Sequence, residues 1–154
     1  MEKLNFDSGV KEYQINGKGV LRFNPSDPNV YARFMDAMDQ IREVEEKLVA
    51  KAKELEQDEN QEFSGADALR LMREADRETK KILTGVFGDG NDFDEILGGV
   101  NLLAVAGNGE RVITNLLTAL QPIMVSGAEN CAKAQADKAV AAAKRNRAQR
   151  RAKV

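Results

Sequence analysis

From Asp27 to Glu56 the chain offers nothing to stop a helix. Asp27 is a good N-cap, Pro28 sits where the first helical N–H would be unpaired anyway, and neither glycine nor proline occurs from Asn29 to Glu56. The stretch predicts one long helix. At 1.5 Å per residue it would span roughly 40 Å, more than the width of a core built by a chain of this size. Its far end is therefore expected to project or to pair with a neighbour, which suits a protein that binds other proteins.

The apolar residues of this helix form a seam. Tyr31, Phe34, Met38, Ile41, Leu48, Ala52 and Leu55 follow an alternating 3,4 spacing, with Glu45 as the polar interruption and Val44 beside it. A coiled-coil interface and a core-facing stripe share this pattern, and the first half favours the stripe. From Glu45 to Glu62 the chain is dense in Glu, Lys, Asp and Gln, so that end should be solvated or meet a partner. On periodicity alone, Tyr31, Phe34, Met38, Ile41, Leu48 and Leu55 are the candidate partner-contact residues.

The 26 residues before the helix read as β structure. Leu4 and Phe6, Tyr13 and Ile15, and Leu21 and Phe23 alternate with polar neighbours, and Asn16-Gly17-Lys18-Gly19 is a strong turn signal between the last two runs. Asp7-Ser8-Gly9 offers an earlier turn, which would extend the hairpin to a three-stranded meander. Two strands are marginal in water, so their apolar face must be covered by helices or by another subunit. The edge strand is a candidate surface for homo-oligomerisation.

Beyond the long helix, Gln57 to Phe63 is polar and reads as a loop or frayed end. Ser64-Gly65-Ala66-Asp67 has capping-box spacing and opens a second helix to about Thr84, with Leu69, Met72, Ala75, Ile82 and Leu83 on its inner side and Gly85 or Gly88 ending it. It packs most simply antiparallel to the first. The acidic segment from Gly88 to Glu95 does not fit a calcium loop: one starting at Asp89 needs Gly sixth and Glu twelfth, where Asp94 and Val100 stand. It reads as a turn and a short helix capped by Asp92, running through Phe93, Ile96 and Leu97 to Gly98-Gly99. After the turn at Gly107-Asn108-Gly109, Val112, Ile113, Leu116, Leu117, Leu120, Ile123 and Met124 make the strongest apolar face in the chain, on a helix that Pro122 should kink or end. From Ala128 the chain is rich in Ala and Lys, predicting a further helix that frays after about Arg147.

Composition narrows the chemistry. With no His among 154 residues, the commonest general base and transition-metal ligand are missing. Cys131, the lone cysteine, cannot form an internal disulfide, and its alanine-rich setting suits a small filler better than a nucleophile. No cofactor or metal is expected, and an enzyme is disfavoured. No run of eighteen apolar residues and no basic-then-apolar leader occurs, so the expectation is a cytoplasmic protein with no membrane contact.

Charge divides the chain. Residues 133–154 hold eight Lys and Arg against one Asp, which leaves 15 basic and 24 acidic residues upstream. Lys144, Arg145, Arg147, Arg150 and Arg151 are candidate electrostatic contacts. They have no aromatic neighbour for base stacking, which favours a solvated or protein-contacting tail over nucleic-acid binding. The fold class read from these signals is mainly α with a small N-terminal antiparallel β hairpin or meander. The hairpin would be 1–26, the helical body 27–127 and a helical basic tail 128–154.

The order of parts resembles the tail assembly chaperones of long-tailed, non-contractile phages of Gram-positive hosts. The resemblance rests on Arg22-Phe23-Asn24-Pro25-Ser26-Asp27 at the end of the β piece, the long charged helix, the Val86-Phe87-Gly88 turn and Leu117-Thr118-Ala119-Leu120-Gln121-Pro122-Ile123. It covers most of residues 4–125, and the basic tail lies outside it. It implies a small helical protein, absent from the finished virion. Such a protein binds the tape measure protein, keeps it soluble in the host cytoplasm and assists assembly of the tail tube protein around it. The family has no catalytic residues to carry over. A groove or seam containing Phe34, Met38, Ile41 and Leu48 would suit the long client helices.

Overall fold

The computed structural model describes residues 1–57 and 65–153 and shows a mainly α chain with a two-stranded antiparallel hairpin near its N-terminus. The hairpin joins β1 (Lys11–Ile15) to β2 (Gly19–Phe23). Asn16 and Gly17 both have positive φ, 49° and 74°, as a tight turn matched to the strand twist requires, and Lys18 N–H donates to the Ile15 carbonyl at 3.0 Å. The register pairs Tyr13 with Leu21 and Lys11 with Phe23. Residues 1–10 form no third strand. Leu4 and Phe6 are exposed, so the expected meander is corrected to a hairpin with an exposed arm.

Four helices follow: α1 (Pro28–Gln57), α2 (Gly65–Phe87), α3 (Phe93–Ile96) and α4 (Val112–Ala152). The side chain of Asp27 accepts from Asn29 N–H at 2.9 Å, so α1 starts where its cap and Pro28 predict. The expected loop over 58–63 and the Ser64 cap lie outside the described residues. Arg33, early in α1, donates through Nε to the Val86 carbonyl near the end of α2, so the two helices are antiparallel. Helix α2 continues past Thr84 and Gly85 to Phe87. Gly88, with φ of 106°, stops it, and its N–H reaches the Thr84 carbonyl at 2.8 Å. Of the expected inner side, Ala75 and Leu83 are buried and Met72 and Ile82 partly so, but Leu69 is exposed; Thr79 and Val86 complete the buried stripe of α2.

The core lies where the hairpin, α1, α2, α3 and the first half of α4 meet. Phe87 touches three other rings, with centroids 4.8 Å from Phe23, 5.8 Å from Phe93 and 6.5 Å from Phe34. Asn91 then joins the outer edge of β2 to the end of α2. Its Oδ1 accepts from Arg22 N–H at 2.9 Å, and its Nδ2 donates to the carbonyls of Arg22 and Phe87, both at 2.9 Å. One amide thus occupies the place of a neighbouring strand and satisfies an edge that would otherwise be open.

Helix α4 has no side-chain cap. The N–H groups of Val112 and Ile113 instead donate to the carbonyls of Ala104 and Leu102, at 2.9 and 2.8 Å, which also pins the apolar segment ahead of it. Pro122 does not end this helix, which continues without interruption into the helix expected from Ala128. Thr118, whose carbonyl loses its helical donor to Pro122, is exposed and can be hydrated instead, as is Pro122 itself. Ile113, Leu120, Met124 and Gly127 carry the buried face. A methyl group at Gly127 would overlap the Pro25 carbonyl, so α4 lies directly on the turn that precedes α1. Beyond Cys131 every described residue is exposed, and the helix runs past Arg147 to Ala152.

Replacing Asn91 with Ala leaves part-buried backbone groups of Arg22 and the carbonyl of Phe87 without this partner and should cost about 2–3 kcal/mol in urea unfolding. Gly127→Val should reduce stability as well, through steric overlap with the Pro25 turn. An unchanged unfolding midpoint for Asn91→Ala would show that water replaces the amide.

Candidate partner-binding surfaces

The predicted seam divides into two parts with different surroundings. Phe34 and Ile41, each 2% exposed, lie in the chain's own core with Val44, while Tyr31 and Met38 are half-buried against it. Phe34 and Ile41 therefore present no face to a partner, which corrects the expectation of one continuous contact seam. The reason is α2, whose antiparallel packing covers this half of α1. Leu48 and Leu55 lie farther along and are only half-buried.

Those two residues belong to a groove. Leu48, Val49, Ala52 and Leu55 of α1, Ala68, Leu71 and Met72 of α2, and Leu103, Val105 and Arg111 of the following loop line an open apolar cleft of about 260 Å³. The lining is almost wholly hydrocarbon, and Val49 and Val105 are exposed. Met72 adds an unbranched side chain that adapts to different shapes. Such a cleft suits an apolar stripe presented by a helix or an extended segment.

Arg111 stands at the edge of this groove and also borders a second cleft lined by Arg42, Glu45, Glu46 and Lys53. Its Nη1 is buried and lacks a hydrogen-bond acceptor among the described residues. A buried guanidinium N–H without an acceptor is costly, so an acceptor arriving from outside the chain would be favoured there.

On the far half of α4, Lys144, Arg145, Arg147, Arg150 and Arg151 are all exposed. Helical spacing places Lys144, Arg147 and Arg151 along one stripe, while Arg145 and Arg150 fall to either side. The structure does not bring these cations near the groove-lining residues of α1.

A polar cluster that pattern reading did not reveal lies near α3. Lys80 Nζ bonds Asp76 at 2.9 Å and Asp94 at 2.7 Å, and the second oxygen of Asp76 accepts the Leu102 N–H at 2.8 Å. Burial acts to lower the Lys80 pKa, but the hydrogen bonds to Asp94 and Asp76 outweigh it and hold it above the ordinary lysine value. The hydrogen bond to Lys80, followed by its charge, lowers Asp94. A lysine held this firmly protonated has the opposite of the tuning that a basic or nucleophilic lysine needs. The cluster ties α2 to α3 and to the segment before α4. Asp92 caps α3 by accepting from Asp94 and Glu95 N–H groups. Among the described residues no three His, Cys, Asp or Glu side chains converge to hold a metal, and no helix is long and apolar enough to cross a membrane.

No family model matches the chain, and neither does any curated protein or solved structure.

Lys80→Met would leave the buried Asp76 carboxylate without a counter-charge and should cost about 3 kcal/mol at neutral pH. Because Asp94 is lowered in the folded state, its contribution is complete above the ordinary carboxylate range and is lost as pH falls through its depressed pKa. Lys80 is raised, so its contribution holds below the ordinary lysine pKa and is lost as pH climbs through the raised value. The stability gap between the native chain and Asp94→Asn should therefore shrink in acid, as measured by denaturant unfolding across pH.

Proposed function

We propose that this chain is a tail assembly chaperone of a long-tailed phage, and that the groove between the far end of α1 and the start of α2 takes the apolar stripe of its client, the tape measure protein. The observation that carries this reading is the open hydrocarbon cleft lined by Leu48, Val49, Leu55, Leu71 and Met72. It agrees with what the sequence resemblance implies. A long helical client exposes many apolar stripes, so many copies binding weakly along it would keep it soluble. The chaperone would act in the host cytoplasm, leave before the virion is complete and meet the tail tube protein only during assembly.

The exposed stripe of Lys144, Arg147 and Arg151 supports a second reading, a nucleic-acid-binding regulator. Nucleic-acid binding would weaken steeply with salt and disappear when residues 144–154 are removed. Loss of the client under the same truncation, with no nucleic acid bound, would instead assign the tail to a protein contact.

Co-expression with the tape measure protein of the same genome tests the chaperone reading. The native chain should keep the client soluble and co-purify with it. Val49→Asp and Leu55→Asp place charges in the groove without touching Phe34 or Ile41, and each should weaken client binding about 10- to 100-fold. If both variants fold and hold the client as well as the native chain does, the groove is not the client site.

A further inference from the structure

The first nine residues form an arm whose apolar side chains have nowhere to go within the chain. Leu4 and Phe6 are 87% and 79% exposed, yet the arm is fixed at its root. Gly9 N–H donates to Asp7 Oδ1 at 2.8 Å, and Asn24 Nδ2 donates to the Ser8 carbonyl at 3.1 Å. That root stands beside the start of α1, because Asp27 N–H in turn reaches the Asn24 carbonyl at 3.2 Å. Leu4 and Phe6 are spaced i, i+2, so pairing of the arm as an extended segment would turn both side chains to the same side, the arrangement that inserts into a cleft.

The groove that could receive them is at the other end of α1. Phe6 lies three residues from Gly9 and reaches about 10 Å from the root, and Leu4 about 17 Å. From Pro28 to Val49 the helix rises about 30 Å. An arm therefore falls short of its own groove. A second copy has no such restriction.

We propose that the arm of one copy seats Leu4 and Phe6 in the groove of a second copy. The groove, about 260 Å³ in volume and lined almost wholly by hydrocarbon, offers an open apolar surface to side chains of this kind. The groove also needs what an arm carries. Arg111 Nη1, buried at its edge without an acceptor among the described residues, would meet backbone carbonyls of the arm and the carboxylate of Glu2. Reciprocal exchange closes a two-fold dimer, and one-way exchange builds a larger ring or chain. This inference rests on the same groove as the client reading and adds a regulation: a neighbour's arm covers the groove until a client helix displaces it.

The full chain tests this without any client, so the result does not depend on the tape measure protein. Sedimentation velocity should show concentration-dependent species of twice the monomer mass or more. Leu4→Asp with Phe6→Asp should weaken self-association at least tenfold and, at concentrations where the native chain is monomeric, leave the thermal unfolding profile unchanged, since both side chains are exposed in the single chain. In a Cys131→Ser background, mixing Phe6→Cys chains with Val49→Cys chains should yield a cross-linked pair under mild oxidation. The doubly substituted chain should link between molecules rather than within one. A chain that stays monomeric at high concentration, multimers that ignore the arm substitutions, or a Phe6–Val49 link formed within one molecule would each overturn the proposal. Failure of the client assay with an intact arm exchange would overturn the chaperone reading alone.

Discussion

Phe87 is the residue on which the arrangement of the other elements depends. It is the last residue of α2, and its ring meets Phe23 of the hairpin, Phe34 of α1 and Phe93 of α3. Four segments with little apolar surface of their own thus share one buried cluster. The hairpin gains most from this, since two strands alone bury too little to persist in water. Tyr13 stacks on Phe23 at 5.1 Å, which extends the cluster to β1. Gly88 must then turn the chain sharply, because Asn91 has to return within four residues to accept from β2 and donate to the Phe87 carbonyl. Packing and polar satisfaction here depend on each other: the ring cluster excludes water, and water exclusion makes the amide of Asn91 indispensable.

The same requirement gives the molecule two unlike ends. Around Phe87 the polar backbone groups are paired and the apolar side chains enclosed. Toward Gln57 the helical pair loses that cover, because the hairpin and α3 lie at the opposite end of α1. Among the described residues outside the two helices, Leu103, Val105 and Arg111 line this region, and Val105 keeps its side chain exposed. An open apolar groove follows from the placement of the core rather than from any unusual composition of the helices.

Local signals made the helices and the hairpin legible, and non-local contacts hid the rest. Asp27-Pro28, Asn16-Gly17, Asp92 and Gly88 each act through backbone geometry within a few residues, and each element begins or ends where they indicate. Asn91 could not be found that way, since its partner Arg22 lies 69 positions off and its place in an acidic, glycine-rich run read simply as a turn. Lys80 takes one partner, Asp76, from its own helix at i, i−4, but the other, Asp94, comes from another helix. Periodicity placed Phe34 and Ile41 on the correct face of α1. It could not say whether that face met α2 or a different molecule, because core stripe and interface stripe have the same spacing. The groove draws on three separate segments, and only Leu48 and Leu55 were picked out for it.

Helix α4 shows how one end of an element can sustain the other. Its first half is packed, with Ile113 and Met124 fully enclosed and Gly127 against the Pro25 turn. Its second half is exposed at every described residue. An isolated helix must form a costly first turn, but this segment extends one that tertiary contacts already hold, so each added residue needs only favourable propagation. The alanine-rich sequence from Ala132 to Ala143 supplies that, and Arg150 and Arg151 lie in the last turn, where cations suit the helix dipole. The Pro122 position fits this division of labour. Its missing N–H falls on the exposed side of the packed half, where neighbouring contacts offset the loss; the same proline in the solvated half, with no contacts to compensate, would end the helix.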